Sequence, residues 1–210
     1  IMIPTNTYMS RYIFVVAIAV LTVSVVGLPS NASYIHADGR PLNIAHRGLA
    51  SLFPENTLES FSGAMYQGAD FIELDVVYTK EKLPLVMHDP YLTRITNIRN
   101  LTQFATRYST RTYNGEKKSD WWTDEFTLAE LKTIKIKQAL APGRLTIFDY
   151  LFTFPTLNEV IELVVAFNAK HKGARNPDQR LVGILIEAKD SQMYRDMFGL
   201  EIGETILKTL

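Results

Sequence analysis

Two acidic side chains within one apolar stretch are the first sign of chemistry in this sequence. Glu73 and Asp75 are separated by one residue in the run 71–77, whose branched and aromatic residues predict a β-strand. Alternate side chains leave the same face of a strand, so both carboxylates point the same way. Two buried carboxylates repel each other, and a bound divalent cation removes that conflict. The pair indicates a calcium or magnesium site; the alternative is a solvated strand face, which the flanking apolar residues disfavour.

A third carboxylate, Glu187, follows the strongly apolar run 181–186, and Lys189 lies two residues further on. As an oxygen ligand, Glu187 would leave the other coordination positions of a hard cation to water and substrate phosphate. Lys189 would then place a positive charge on the phosphate. The alternative is an ion pair between the two side chains that closes the strand.

Two histidines complete the set of reactive side chains. His46 and His88 each follow an apolar run, where a histidine is often structural or a metal ligand. Beside a carboxylate cluster they favour general acid–base catalysis, because an ordinary pKa of about 6.5 suits proton transfer at neutral pH. Arg47 offers a forked donor for phosphate oxygens, Gly48 permits close backbone approach, and Asn56 is a candidate helix cap. Together these residues predict a phosphate-ester site built around a hard metal ion.

The elements that must hold these residues alternate between strands and helices. Because the predicted strands are apolar and end in ionisable residues, we predict a parallel β/α architecture with the site at the carboxyl ends of the strands. Four strands are half of an eight-stranded barrel, so we expect the sequence to stop partway through one. The predicted strands are 42–45, 71–77, 83–87 and 181–186.

The remaining segments are predicted from capping signals and composition. A helix opens at 54–56, capping boxes at 127–130 and 156–159 start two more, and residues 202–210 are predicted to begin another. Residues 93–126 are predicted to be an irregular polar and aromatic excursion, and 173–179 a turn-rich loop. The helix that begins after Thr156 is expected to bury one set of apolar residues: Val160, Ile161, Val164, Val165 and Phe167.

Composition restricts the classes of function. The 210 residues are 47% hydrophobic and 21% charged, which is typical of a globular protein. Because 22 basic residues balance 22 acidic ones, no long-range field attracts nucleic acid. There is no cysteine, which excludes disulfides, zinc–thiolate sites and thiol nucleophiles.

The N-terminal residues predict export. An apolar run at 12–28 follows Arg11 and leads to small residues that end at Ala32. This arrangement predicts a secretory signal peptide over 1–32, a linker over 33–41 and a secreted or extracytoplasmic protein. The alternative is a membrane anchor with the domain outside the cytoplasm, because the run approaches spanning length.

The chemical residues lie in strings that resemble the glycerophosphodiester phosphodiesterase family, in its periplasmic and secreted branch. The resemblance covers residues 42–210 as the N-terminal part of the family's domain, with an insertion at about 93–126. It is highly specific over residues 44–96, where the matching strings are 44–48, 53–57, 68–76, 79–80 and 86–89. It is looser over 126–131, 154–157 and 186–189.

The resemblance implies a TIM (β/α)8 barrel that hydrolyses glycerophosphodiesters to glycerol 3-phosphate and an alcohol. It also implies a small-molecule substrate and one Ca²⁺ or Mg²⁺ ion as the cofactor. It assigns His46 and His88 as the acid–base pair and Glu73, Asp75 and Glu187 as the metal ligands. It also implies that Arg47 holds the phosphate, with Glu55 and Lys189 in support.

The chain departs from the family pattern in two places. Glu81 and Lys82 stand where the family commonly has Asp-Gly, which is expected to alter only a hairpin-like turn. Family members continue for about a hundred further residues, so these 210 residues alone are expected to be inactive and aggregation-prone. Trp121 and Trp122 are expected to pack on the barrel rather than to contact substrate.

Two rival functions share these motifs. A lysophospholipase D-like or sphingomyelinase-like phosphodiesterase is disfavoured because its disulfide-stapled loops need cysteine, which this chain lacks. A non-catalytic phosphate-binding protein on the same scaffold is expected to have lost a histidine or an acid. All the matched positions are retained here, and the oligomeric state is left open.

Overall fold

The computed structural model describes residues 17–19, 39–139, 142–171 and 181–210. Most of the predicted leader and linker, and the predicted turn-rich loop at 173–179, lie outside the described residues. Within the described residues, no helix combines the length and apolar character needed to cross a bilayer.

The described strands form one mixed five-stranded sheet and one separate hairpin. The sheet order is β1-β7-β3-β2, with β4 also paired to β3, and β5 pairs with β6 in the hairpin. The strands are β1 (Ala17–Ala19), β2 (Ile44–His46), β3 (Phe71–Tyr78), β4 (Pro84–Val86), β5 (Ser109–Tyr113), β6 (Glu116–Asp120) and β7 (Gly183–Ala188). Strand β1 lies within the predicted leader and pairs in parallel with β7.

The helices follow the predicted capping signals. Both capping boxes are confirmed: the side chains of Thr127 and Thr156 accept from the backbone of Glu130 and Glu159, whose carboxylates accept in return. One helix, α4, has no counterpart in the sequence prediction. The helices are α1 (Leu58–Tyr66), α2 (Leu128–Leu131), α3 (Leu157–His171), α4 (Ser191–Phe198) and α5 (Ile202–Thr209).

Strand β3 is the centre of the sheet. It runs parallel to β2 on one side and to β7 on the other, and the predicted parallel β/α arrangement is therefore confirmed for these strands. The register pairs His46 with Glu73 and Asp75 with Glu187. Because parallel neighbours end at the same edge, the predicted site residues are carried to one end of the sheet.

The prediction that residues 83–87 form another parallel strand is wrong. Strand β4 is antiparallel to β3, with Val76 opposite Val86. Only residues 79–83 connect the two strands, whereas a parallel crossover needs about a dozen residues or more. The connection turns at Lys82, whose φ of 65° is the left-handed conformation that an Asp-Gly turn adopts more easily.

The pairing of β3 brings β2 and β4 to the same edge. Val76 pairs with Ala188 of β7 and with Val86 of β4, so β4 lies opposite β7. Residues Phe71 to Glu73 likewise pair with β7 on one side and with β2 on the other. Strands β2 and β4 therefore run toward each other along one edge of β3. The segments of β3 with which they pair end three residues, roughly 10 Å, apart.

The prediction of an irregular excursion at 93–126 is wrong in its central part. Strands β5 and β6 form a hairpin whose turn residues, Asn114 and Gly115, have φ values of 51° and 82°. Two positive φ angles define a type I′ turn, for which Asn-Gly is the strongest short sequence signal. Trp121 and Trp122 are buried, as expected, and the Trp121 indole donates to the carbonyl of Phe104 at 2.7 Å.

Helix α3 covers the sheet and holds β7 in place. Val160 and Val164 are fully buried, but Val165 is 46% exposed, so its predicted place in the core is wrong. The Asn168 side chain makes two 2.9 Å hydrogen bonds to the backbone of Val182, just before β7. This contact fixes the start of the strand that carries Glu187.

Gly48 supports the turn that follows β2. Its φ is 80°, and a Cβ there would lie 2.7 Å from the Ser60 carbonyl carbon and 2.9 Å from the Phe61 nitrogen. We expect Gly48→Ala to lower the free energy of unfolding of the full-length protein by about 3 kcal/mol, from left-handed strain plus overpacking against backbone. Chemical denaturation measures this loss.

Gly68 provides the matched control. Its φ is 88°, but a Cβ would meet nothing within 4 Å. Gly68→Ala should cost only about 1 kcal/mol, because the strain is present without the clash. Equal losses in the two variants would contradict the close approach at Gly48.

Candidate active site

Three carboxylates converge where the middle of β3 pairs with the end of β7. Glu73 and Asp75 leave the same face of β3, and the register places Glu187 beside Asp75. One oxygen from each of the three lies within 4.8 Å of the others. Glu73 is 6% exposed and Asp75 is fully buried, so the sequence prediction of a shared, buried face is confirmed.

The cluster is electrostatically unfavourable without a cation. Burial and then the charge of Asp75 raise the pKa of Glu73 to about 7, and Glu187 adds to this, although the hydrogen bond and charge of Arg47 oppose it. The buried Oδ1 of Asp75 accepts no hydrogen bond from any described residue, and its charged neighbour is the Lys189 ammonium at 3.3 Å. Crowded carboxylate oxygens with spare acceptor capacity fit a hard cation such as Ca²⁺ or Mg²⁺.

Arg47 lies directly beside the carboxylates. Its backbone has a φ of 57°, and its N–H donates to Glu73 Oε2 at 2.8 Å. Its guanidinium contacts Asp75 Oδ2 at 3.2 Å and donates to Glu55 Oε1 at 3.0 Å. Arg47 has a left-handed backbone conformation between β2 and α1. It thus directs both its backbone N–H and its guanidinium at the carboxylates.

Asn56 orients Asp75 and is not the cap of α1, contrary to the sequence prediction. Its amide donates to Asp75 Oδ2 at 2.9 Å. The cap is Thr57, whose side chain accepts from the Ser60 N–H at 3.1 Å. Asn56 has a φ of 58°, which turns its side chain away from the helix start. A hydrogen bond of this kind fixes the direction of a metal-binding carboxylate.

Glu55 is a buried acceptor for three arginines. It is 1% exposed, and it accepts from Arg47 at 3.0 Å, Arg94 at 2.6 Å and Arg144 at 3.3 Å. Burial favours its neutral form, but the hydrogen bonds and charges of Arg94 and Arg47 outweigh burial and lower its pKa. The sequence prediction missed Arg94 and Arg144, because neither lies in a matched string or at a predicted strand end.

His88 is brought close to the carboxylates by the segment that follows β4. The Met87 N–H donates to the Asp75 carbonyl at 3.0 Å, which brings His88 alongside β3. His88 Nδ1 lies 2.6 Å from Asp89 Oδ1, and Arg94 Nε donates to the other oxygen. Burial opposes ionisation of Asp89, but these contacts outweigh it and lower the pKa of Asp89. An ionised Asp89 holds the His88 proton on Nδ1 and leaves Nε2 for substrate.

His46 and Lys189 complete the site. Burial and then the charge of Arg47 lower the pKa of His46, so its imidazole is neutral at pH 7. Lys189 Nζ donates to Glu187 at 2.6 Å and lies 3.3 Å from Asp75 Oδ1. The ion pair between Lys189 and Glu187 is therefore present together with the carboxylate cluster. The two sequence interpretations of Glu187, as a member of the cluster and as the partner of Lys189, are compatible.

Fold and site together fit part of a TIM-barrel α/β protein, with a cluster of three carboxylates that could bind a metal ion. The chain belongs to the glycerophosphoryl diester phosphodiesterase family, whose family model matches residues 46–201. The predicted family and fold class are thus confirmed.

Individual relatives agree with this assignment. A glycerophosphodiester phosphodiesterase of Arabidopsis thaliana is 34% identical over 167 residues, covering 78% of this chain and 42% of the relative. A glycerophosphodiester phosphodiesterase of Haemophilus influenzae is 27% identical over 191 residues, covering 86% of this chain and 48% of the relative. The chain thus spans less than half the length of these curated relatives.

Two solved structures share the fold. A phosphodiesterase of Oleispira antarctica, in complex with the product sn-glycerol-3-phosphate, matches with a TM-score of 0.53 at 25% identity, over 81% of this chain and 51% of that one. A phosphodiesterase structure from Silicibacter pomeroyi matches with a TM-score of 0.51 at 21% identity, over 80% and 52%. The second likeness concerns the fold alone.

The raised pKa of Glu73 gives a pH-dependent prediction for the full-length protein. Without a cation, folded Glu73 holds a proton that the unfolded chain, with an ordinary pKa of 4.5, releases. This contribution to stability is complete below about pH 4.5 and is lost as the pH rises through about 7. We expect saturating Ca²⁺ or Mg²⁺ to raise the unfolding temperature more at pH 8 than at pH 5.5, because the cation replaces the proton.

Thermal unfolding in chelator and in cation, at both pH values, measures this difference. Glu73→Gln is the control, because it removes the titrating group and should flatten the pH dependence of the metal-free protein. A cation effect of equal size at pH 5.5 and pH 8 would contradict the assignment of Glu73.

Proposed function

We propose that the full-length protein hydrolyses glycerophosphodiesters to glycerol 3-phosphate and an alcohol, with one Ca²⁺ or Mg²⁺ ion. The observation that carries this proposal is the convergence of Glu73, Asp75 and Glu187 within 4.8 Å, flanked by His46 at the end of β2 and by His88 just after β4. Membership of the family and the product complex of the Oleispira relative support the reaction.

Two cationic side chains beside the carboxylates are placed to hold the phosphate. The three carboxylates would bind the ion, which supplies charge that polarises the phosphoryl oxygens. Arg47 and Lys189 contact different oxygens of Asp75, at 3.2 and 3.3 Å. A phosphate against the cluster therefore meets a forked donor from one side chain and an ammonium from the other. Glu55 acts through Arg47, which it holds in place.

The two histidines divide the proton transfers. Neutral His46 accepts the proton of the nucleophile, which is either water or the glycerol hydroxyl, because its lowered pKa keeps a lone pair free at pH 7. His88, oriented by Asp89 through Nδ1, protonates the leaving alcohol from Nε2. Both transfers balance: His46 starts neutral and becomes cationic, whereas His88 reacts as the imidazolium, gives its Nε2 proton to the leaving alcohol and ends neutral.

Replacing one histidine tests this proposal. We expect His46→Ala in the full-length protein to lower kcat by roughly 10³-fold, because general acid–base catalysis typically contributes that much. Excess chelator should abolish turnover, and added Ca²⁺ or Mg²⁺ should restore it. Release of glycerol 3-phosphate from glycerophosphocholine and glycerophosphoglycerol is the measurement.

His171→Ala is the matched control for this experiment. His171 lies in the last turn of α3, where its ring contacts Phe167 and Tyr66, so turnover should be retained. Unchanged turnover in His46→Ala would overturn the mechanism. Wild-type protein without turnover, in the presence of either cation, would leave a phosphate-binding protein as the better description.

We also propose that residues 1–32 are a secretory leader. The apolar run at 12–28 and the small residues that end at Ala32 support this proposal. Expression in a secreting host should yield a product that begins at Ser33, as read by mass spectrometry of the N-terminus. An intact N-terminus in the membrane fraction would favour an anchor instead.

A further inference from the structure

A cavity of about 520 Å³ opens beside the carboxylate cluster. This volume lies in the range of about 300–1,000 Å³ that is typical of small-molecule sites. One side is formed by His88, Glu187 and Lys189 of the proposed site. The rest of the lining comes from the tip of the β5–β6 hairpin and from the start of α4.

The position of the cavity identifies which part of a substrate it takes. Of the two histidines, His88 lines it and His46 is not among the described lining residues. In the proposed mechanism His88 protonates the leaving alcohol, so a group in this cavity is the alcohol side of the diester. This step rests on the proposed function.

The cavity contains one carboxylate that the proposed mechanism does not use. Among the described lining residues, Asp190 is the charged side chain outside the set already assigned to metal, phosphate and proton transfer. It occupies the N-cap position of α4, where an aspartate usually accepts from the helix backbone. Here its φ is 51° and its side chain makes no capping hydrogen bond.

Asp190 and the hairpin residue Tyr113 both line the cavity. Burial and then the charge of the Asp190 carboxylate raise the pKa of the Tyr113 hydroxyl. The Tyr113 ring is held by edge contacts to Tyr91 at 5.7 Å and to Trp122 at 5.8 Å between centroids. A carboxylate beside a fixed aromatic ring is the chemistry that recognises an ammonium group, by charge and by cation–π attraction.

We propose that Asp190 and Tyr113 form a head-group subsite that selects glycerophosphodiesters whose alcohol is cationic, such as choline or ethanolamine. An uncharged alcohol such as glycerol fits the same cavity but gains nothing from the carboxylate. The subsite therefore determines preference among substrates and leaves the cleavage chemistry to the metal site and the histidines.

Substrate comparison in the full-length, metal-loaded protein tests this subsite. We expect Asp190→Asn to lower kcat/KM for glycerophosphocholine about tenfold and to leave kcat/KM for glycerophosphoglycerol unchanged. Tyr113→Leu should lose the choline preference, whereas Tyr113→Phe should keep most of it because the ring remains. Glu204→Gln, which removes an exposed acid of α5, is the matched control and should change neither substrate.

The two substrates separate this inference from the proposed function. Equal loss with both substrates in Asp190→Asn would make Asp190 a structural residue and overturn the inference, as would no loss with either. If wild-type protein cleaves neither substrate, the proposed function fails. Titration calorimetry then decides the subsite: tighter binding of glycerophosphocholine than of glycerophosphoglycerol, erased by Asp190→Asn, supports it, and equal binding overturns it.

Discussion

The concentration of negative charge at the end of β3 is the constraint on which the rest of this site depends. The parallel register with β7 places Asp75 and Glu187 side by side, and strand alternation adds Glu73. Neighbouring elements each direct a positive or donor group at these three residues: the backbone and guanidinium of Arg47 and the amide of Asn56. A site that needs so many donors around buried carboxylates is organised for a cation, since the donors only partly offset the repulsion.

A second layer of ion pairs connects the carboxylate cluster to His88. Glu55 binds Arg47 on the side of the carboxylates and Arg94 on the side of Asp89, which in turn orients His88. Buried charges of this kind are strongly unfavourable when one partner is lost. Arg47 and His88 therefore share one support, and a change at Glu55 affects the position of both.

The sequence was sufficient where the signal was local. Strand alternation predicted the shared face of Glu73 and Asp75, and capping boxes predicted two helix starts. The direction of β4 and the hairpin at Asn114 also had local signals, a short connection and an Asn-Gly turn, which the prediction did not use. Arg94 and Asp190 had none: their roles depend on contacts with residues far away in the chain, which strand and helix patterns do not contain.

The opposed approach of β2 and β4 along one edge of β3 has a consequence for how this family can diversify. Both histidines are placed by pairing with the same strand, so their separation is fixed by a few residues of β3. Loops elsewhere, including the β5–β6 hairpin that lines the neighbouring cavity, can lengthen or shorten without altering that separation. Changes in these loops can thus reshape the cavity while the spacing of the two histidines stays the same.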